Sequence, residues 1–316
     1  MAWATLVRMV QDASPRGIFV PLVTPFTTDG RIAVDALEGL AHGVLEAGAD
    51  GLVALGSTGE AAALDTEEKA AVIDVCARVC RERHASLLIG AGSNDTRSSA
   101  LALAELKRWP EATGALVAVP YFTRPSEAGV LAHFTRLAAT SPVPLVIYHI
   151  PYRTAQPLGA ATLRSLATLS GVSGVKYATG GVDQPVLDLL GDLPPQFSVL
   201  AGDDLFLSPM LALGAAGGIL ASAHLATGRF TELATAWRTG DVTRARLLGH
   251  ALARLSAAAF AEPNPTVIKG VLYAQGRIPT PDVRLPLLPA RPASVEAALS
   301  VLMHLAVPEV PTAERR

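Results

Sequence analysis

Lysine is nearly missing from this chain. Among 316 residues only four are lysine, at positions 69, 107, 176 and 269. Cysteine is rarer still, with two residues, too few for the disulfide scaffold of a small secreted protein. Cys76 and Cys80 stand one helical turn apart and read as a core-facing pair, since half a metal site would need partners nearby. Neither sign of charge dominates: the formal net charge is −2. No basic stripe suggests nucleic acid, and no polybasic cluster suggests a membrane surface. Long apolar runs are absent too. The mean hydropathy of +0.36 comes from Ala, Leu and Val spread along the chain. The nearest approach to a span, LGAAGGILASAHLA, falls short of the roughly 18–20 residues needed and is broken by glycine and His224. The first residues carry Asp12 and no clear small-residue cleavage site, so no signal peptide is read and a cytoplasmic protein is expected.

What the chain does have is alternation. Eight β-branched apolar runs are strand candidates: 17–26, 51–57, 86–92, 114–120, 144–150, 172–178, 197–203 and 217–222. Their spacing matches one βα unit each. Amphipathic stretches lie between them. Asp65 caps one, with acids in its first turn and arginines in its last. Ser126 caps another, and Asp183 a third, with Pro185 in its first turn. Strands apolar on both faces belong to a sheet covered on both sides. Eight in series predict a (β/α)8 barrel. An open doubly wound sheet is the alternative, but no G-x-G-x-x-G follows any strand. After residue 228 the pattern is helical throughout. The expected organisation is an N-terminal extension over 1–16, the barrel over 17–228, and a C-terminal helical region over 229–316 packed on it.

Barrel active sites lie at the C-terminal ends of the strands. The polar residues there are Ser57, Thr58 and Glu60; Tyr121 and Arg124; Tyr148, His149, Tyr152 and Arg153; Lys176; and Asp203 with Asp204. Lys107 and Lys69 sit among charged neighbours, and Lys269 lies in a helix-like run. Lys176 stands alone near the end of the strand-like GVKYATG. A lysine desolvated in a barrel mouth has a lowered pKa, and its neutral amine can attack a ketone to form a Schiff base. Tyr148 beside Ser57 would shuttle the protons. The small hydroxyls and open backbone of GSTG, beginning at Gly56, suit a carboxylate. Each residue has a plainer reading. Lys176 could reach solvent and pair with Asp203, Tyr148 could be a core tyrosine, and GSTGE a turn. Asp203 and Asp204 could bind a metal, but no His or Cys cluster supports one.

Taken together, GSTGE (56–60), YHIPYRT (148–154), GVKYATG (174–180) and AGDD (201–204) resemble the dihydrodipicolinate synthase / N-acetylneuraminate lyase family over roughly residues 17–305. AEPNP (261–265) and VRLPLLP (283–289) resemble the C-terminal region of its synthase branch. The resemblance implies a class I, imine-forming pyruvate lyase, a homotetramer built as a dimer of dimers, with no metal or organic cofactor. It makes Lys176 the imine-forming lysine, Tyr148 the proton relay and Ser57 its hydroxyl link. Thr58 with the Gly56 loop becomes the keto-acid carboxylate site, and Ile219 the apolar neighbour of the bound acid. Arg153 matches the arginine that binds the carboxylate of aspartate semialdehyde.

The chain also departs from the pattern. Phe122 stands where the synthase has a tyrosine contributed across the dimer interface, and a phenyl ring passes no proton. Ala61, Thr66, Lys69 and Ser98 replace the Ser, two His and Glu of lysine-sensitive members, while Asn94 is retained. The readings left open are a synthase-like condensation of pyruvate with an acidic aldehyde, a 2-keto-3-deoxy sugar acid or 4-hydroxy-2-oxoglutarate type aldolase, a dehydratase, and a non-catalytic keto-acid binder.

Overall fold

The computed structural model describes residues 14–305. Residues 1–13 of the expected N-terminal extension, and 306–316 of the C-terminal region, lie outside the described residues. Eight strands close into an all-parallel barrel in chain order: β1 (Gly17–Pro21), β2 (Gly51–Ala54), β3 (Ser86–Gly90), β4 (Ala112–Ala118), β5 (Leu145–His149), β6 (Val172–Tyr177), β7 (Ser198–Ala201) and β8 (Gly217–Ile219). β8 pairs with β1 to complete the ring. The chain is a TIM barrel with appended C-terminal helices.

Each strand is found where an apolar run predicts it, but most are shorter. The first run extends to Phe26, whereas β1 ends at Pro21. Leu22, Val23 and Phe26 are still buried beyond the strand's end, and the Leu22 N–H still donates to the Val53 carbonyl on β2 at 3.1 Å. Apolar patterning reports burial, and it continues past the end of the strand.

The outer layer begins with α1 (Val34–Glu46), α2 (Thr66–Arg83), α3 (Thr96–Glu105), α4 (Glu127–Ala138), a single turn α5 (Pro151–Thr154) and α6 (Ala160–Ala167). α7 (Gln184–Leu190), α8 (Leu207–Ala212) and α9 (Ala223–Thr239) follow. The expected caps are in place. Asp65 and Glu68 form a reciprocal capping box at the start of α2. Ser126 caps α4 and Asp183 caps α7 through their side chains. Cys76 and Cys80 are both buried free thiols on α2. Burial pushes the Cys80 thiol up to about 12, so it has little thiolate character.

The last helices are α10 (Val242–Ala259), α11 (Thr266–Ala274) and α12 (Pro292–Met303). α9 packs against α10 and α1, and α10 and α11 pack against α12. Among the described residues, no helix is long and apolar enough to cross a membrane.

Two cores result. A large one fills the space between strands and helices. A small one plugs the barrel, made of Phe19, Val53, Leu88, Leu116, Val146, Leu200 and Ile219. β6 adds no apolar side chain to the plug. It contributes Gly174, where a Cβ would lie 2.7 Å from the Ser198 carbonyl oxygen. Two residues on, the same face carries Lys176.

Candidate active site

Strand register brings the reactive groups together. Tyr148 on β5 is the direct neighbour of Lys176 on β6. Val146 faces the barrel interior, so Tyr148, two residues later, faces it too and packs on the plug. The Lys176 ammonium nitrogen lies 4.3 Å from the centre of the Tyr148 ring.

These two groups line a narrow chamber of about 20 Å³. Its wall also includes Ser57, Thr58, Tyr152, Arg153, Asp203, Asp204, Ile219 and Asn264. Ile219 forms the apolar floor at the end of β8, where it joins the plug. A second, wider cavity of about 780 Å³ adjoins the first and shares Ser57, Tyr148, Ile150 and Arg153 with it. Those four residues form the junction between the two.

Lys176 does not reach solvent: it is 6% exposed. No carboxylate among the described residues lies within ion-pair distance of it. Burial drives its pKa from 10.5 down to about 8, against the opposing fields of Asp204 and Asp203 and with help from Arg153. At pH 7 that raises the neutral, nucleophilic fraction by roughly two to three orders of magnitude over an ordinary lysine.

Tyr148 moves the other way. Burial pushes its phenol up to about 12, while the Arg153 charge and a hydrogen bond with Ser57 pull it back. It therefore holds its proton at neutral pH and can donate it. Asp204 is raised to about 6 by burial, although it accepts the Ser222 N–H at 2.5 Å. Asp203 accepts the Gly180 N–H at 2.6 Å. Both carboxylates are thus tied to backbone beside Lys176.

The GSTGE segment forms one 3₁₀ turn, Ser57–Gly59, followed by Glu60 in the left-handed region at φ 54°. Gly59 is required by close approach, since a Cβ there would sit 2.9 Å from the Leu22 carbonyl oxygen. Gly56 has no such constraint and lines only the wider cavity. Asn264 donates to the Thr58 hydroxyl at 2.9 Å, which leaves the Thr58 proton free for a ligand oxygen.

The structure corrects the reading of Lys269 as a lysine in ordinary surroundings. It is fully buried, donating to Glu60 Oε1 at 2.8 Å and to the Thr24 carbonyl at 2.9 Å. Its nitrogen stands 4.2 Å above the Phe26 ring. The second Glu60 oxygen accepts the Arg284 N–H at 2.7 Å. The Arg284 guanidinium clasps Glu68 at 2.5 Å and the Ala63 carbonyl at 2.8 Å. Three residues beyond position 260 therefore brace the GSTGE loop. Sequence reading missed Asn264 and Lys269 as parts of the site. The signals were present as an asparagine between two prolines and a lysine in a chain with only four.

The sequence candidates divide accordingly. Lys176, Tyr148, Ser57, Thr58, Arg153 and Ile219 meet at one chamber. Gly56 borders its neighbour. Phe122 lines neither cavity and is 89% exposed. It sits at φ 69° in the middle of a three-residue turn closed by the Thr123 N–H on the Tyr121 carbonyl at 2.8 Å. His149 points away from the chamber, buried against Tyr177 at 5.3 Å between ring centres, and burial lowers its pKa to about 4.

Comparison with known proteins places this arrangement. A 4-hydroxy-tetrahydrodipicolinate synthase from Nitratidesulfovibrio vulgaris is 36% identical over 91% of this chain and 97% of its own length. One from Maridesulfovibrio salexigens is 37% identical over 88% and 94%. The synthase from Methylacidiphilum fumariolicum SolV superposes with a TM-score of 0.86, at 31% identity over 92% of this chain and 96% of that one. A chloride-inhibited dihydrodipicolinate synthase from Acinetobacter baumannii, complexed with pyruvate, gives 0.87 at 32% identity over 92% and 99%. The sequence model of the Dihydrodipicolinate synthetase family matches residues 14–304. With barrel, strand-end lysine and neighbouring phenol all in register, the chain belongs to the dihydrodipicolinate synthetase family, whose enzymes are lyases working through a lysine imine.

Proposed function

We propose that the protein is a pyruvate-dependent lyase resembling 4-hydroxy-tetrahydrodipicolinate synthase, with Lys176 as its nucleophile. The observation that carries this reading is a buried, ion-pair-free Lys176 amine beside the Tyr148 phenol. The neutral amine adds to the keto carbon, and the carbinolamine loses water to give a protonated imine. Loss of a C3 proton then yields an enamine, with the electron pair drawn toward nitrogen. The enamine carbon bonds to the carbonyl carbon of the aldehyde, whose oxygen takes a proton. Tyr148, linked to Ser57, passes these protons. Thr58 holds the carboxylate of the keto acid and Ile219 packs on its methyl side.

Pyruvate is the ligand of the Acinetobacter baumannii neighbour, which supports it as the keto acid. The wider cavity admits the aldehyde, with Arg153 at the junction to bind an acidic group. Aspartate semialdehyde is the acceptor this arrangement supports best. Phe122, which has no hydroxyl, favours a second reading as a sugar-acid aldolase. The exposed Tyr121–Phe122 turn suits a contact between copies in a homotetramer.

Borohydride trapping with pyruvate tests the chemistry, and product formation from an aldehyde panel tests the acceptor. The adduct should map to Lys176. Its rate of formation should climb about tenfold per pH unit up to about pH 8 and level off above, because the attacking species is the deprotonated amine. A rate still climbing steeply past pH 9.5 would show an ordinary lysine and sink the assignment.

A Cyanidioschyzon merolae neighbour has been solved with lysine bound. Here Ala61, Thr66 and Lys69 line the wider cavity, while Asn94 and Ser98 do not. Lysine at millimolar concentration should leave turnover unchanged. Clear inhibition in a steady-state assay would refute this.

A further inference from the structure

We propose that Tyr152 is a positioning residue that sets the enzyme's preference for an acidic aldehyde by fixing the Arg153 guanidinium. The inference deepens the function proposed above and rests on Arg153 as the acceptor's carboxylate site. α5 is a single helical turn, so adjacent side chains on it splay apart unless something joins them. Here Arg153 Nε–H donates to the Tyr152 hydroxyl oxygen at 3.0 Å, and the guanidinium carbon lies 5.4 Å from the centre of the Tyr152 ring. No acidic side chain among the described residues pairs with Arg153. Its Nε edge is thus occupied by a neutral acceptor, and its two terminal nitrogens remain for a carboxylate in a forked, two-point contact.

Location fits this role. Both side chains line the Lys176 chamber, and Arg153 also borders the wider cavity. Tyr152 is 67% exposed, so it belongs to the rim and not to the packed core. A tyrosine there contributes little burial, and its hydroxyl finds its partner in the Arg153 guanidinium. A guanidinium tethered at Nε loses less freedom on gripping its ligand than a free one, so the tether acts on acceptor binding rather than on the bond-forming step.

The test is Tyr152→Phe, which keeps the ring and removes only the hydrogen-bond acceptor. With pyruvate saturating, KM for aspartate semialdehyde should rise roughly three- to tenfold with kcat within about twofold. KM for a neutral aldehyde of similar length should not change. Combining the change with Arg153→Lys, which has no Nε–H fork, should add nothing beyond Arg153→Lys alone. Three results would overturn the proposal: an unchanged KM for the acidic aldehyde, a kcat loss shared by both aldehydes, or an additive double variant. Borohydride trapping of pyruvate by the same proteins separates the outcomes. Failure of the wild type to trap pyruvate removes the underlying reading, whereas normal trapping without the KM effect removes only the role of Tyr152.

Discussion

Replacing Lys176 is expected to reduce turnover by at least about a thousandfold, the scale seen when a covalent nucleophile is removed. Two variants separate its possible roles. Lys176→Arg keeps a positive charge near Asp203 and Asp204 but cannot form an imine, since guanidinium does not deprotonate in proteins. Lys176→Met keeps an unbranched stem and removes the charge. Both should lose the borohydride-trapped pyruvate adduct and the activity together. Retained turnover in the arginine variant would mean that Lys176 serves as a charge and not as a nucleophile. Circular dichroism and thermal melting of each variant show whether the barrel is intact, so an unfolded protein is not mistaken for an inactive one.

The second large effect is on stability. Lys269→Met should destabilise the fold by about 3–5 kcal/mol, the usual consequence of leaving one partner of a buried ion pair uncompensated. In a domain of this size that lowers the melting temperature by on the order of 10 °C. The loss falls on Glu60, which keeps its bond from the Arg284 N–H but loses the Lys269 ammonium at 2.8 Å. Glu60→Gln in the same background should recover part of the stability, because the stranded charge is then gone. Denaturant titrations of the two single variants and the double variant measure this coupling. A loss below about 1 kcal/mol for Lys269→Met, or no recovery in the double variant, would show that the pair is not the brace its geometry suggests.

That the candidate residues meet at one chamber was legible because the information is local. Lys176 and Tyr148 lie near the ends of strands, and period-two alternation with barrel register then decides which way each side chain faces. Asp65, Ser126 and Asp183 announced their helices for the same reason, since a cap acts within three residues. The brace was illegible because its partners meet only in the folded chain. Helical periodicity marks Lys269 as lying on a helix but not that the face it occupies meets Glu60, 209 residues earlier. Asn264 and Thr58 are 206 residues apart and equally silent. The packing need for Gly59 was silent too, because it is set by the Leu22 carbonyl, 37 residues earlier.

The separation of Glu60 from Lys269 has a consequence for the protein's birth. At translation speeds of 5–20 residues per second, roughly 10–40 s pass between synthesis of the carboxylate and arrival of its ammonium partner. All eight strands have been made by then, because β8 ends at Ile219. For that interval Glu60 is without the ammonium that accompanies it in the folded interior. A polypeptide released before residue 269 would therefore hold every strand of the barrel yet lack the ammonium that braces the Ser57–Gly59 turn.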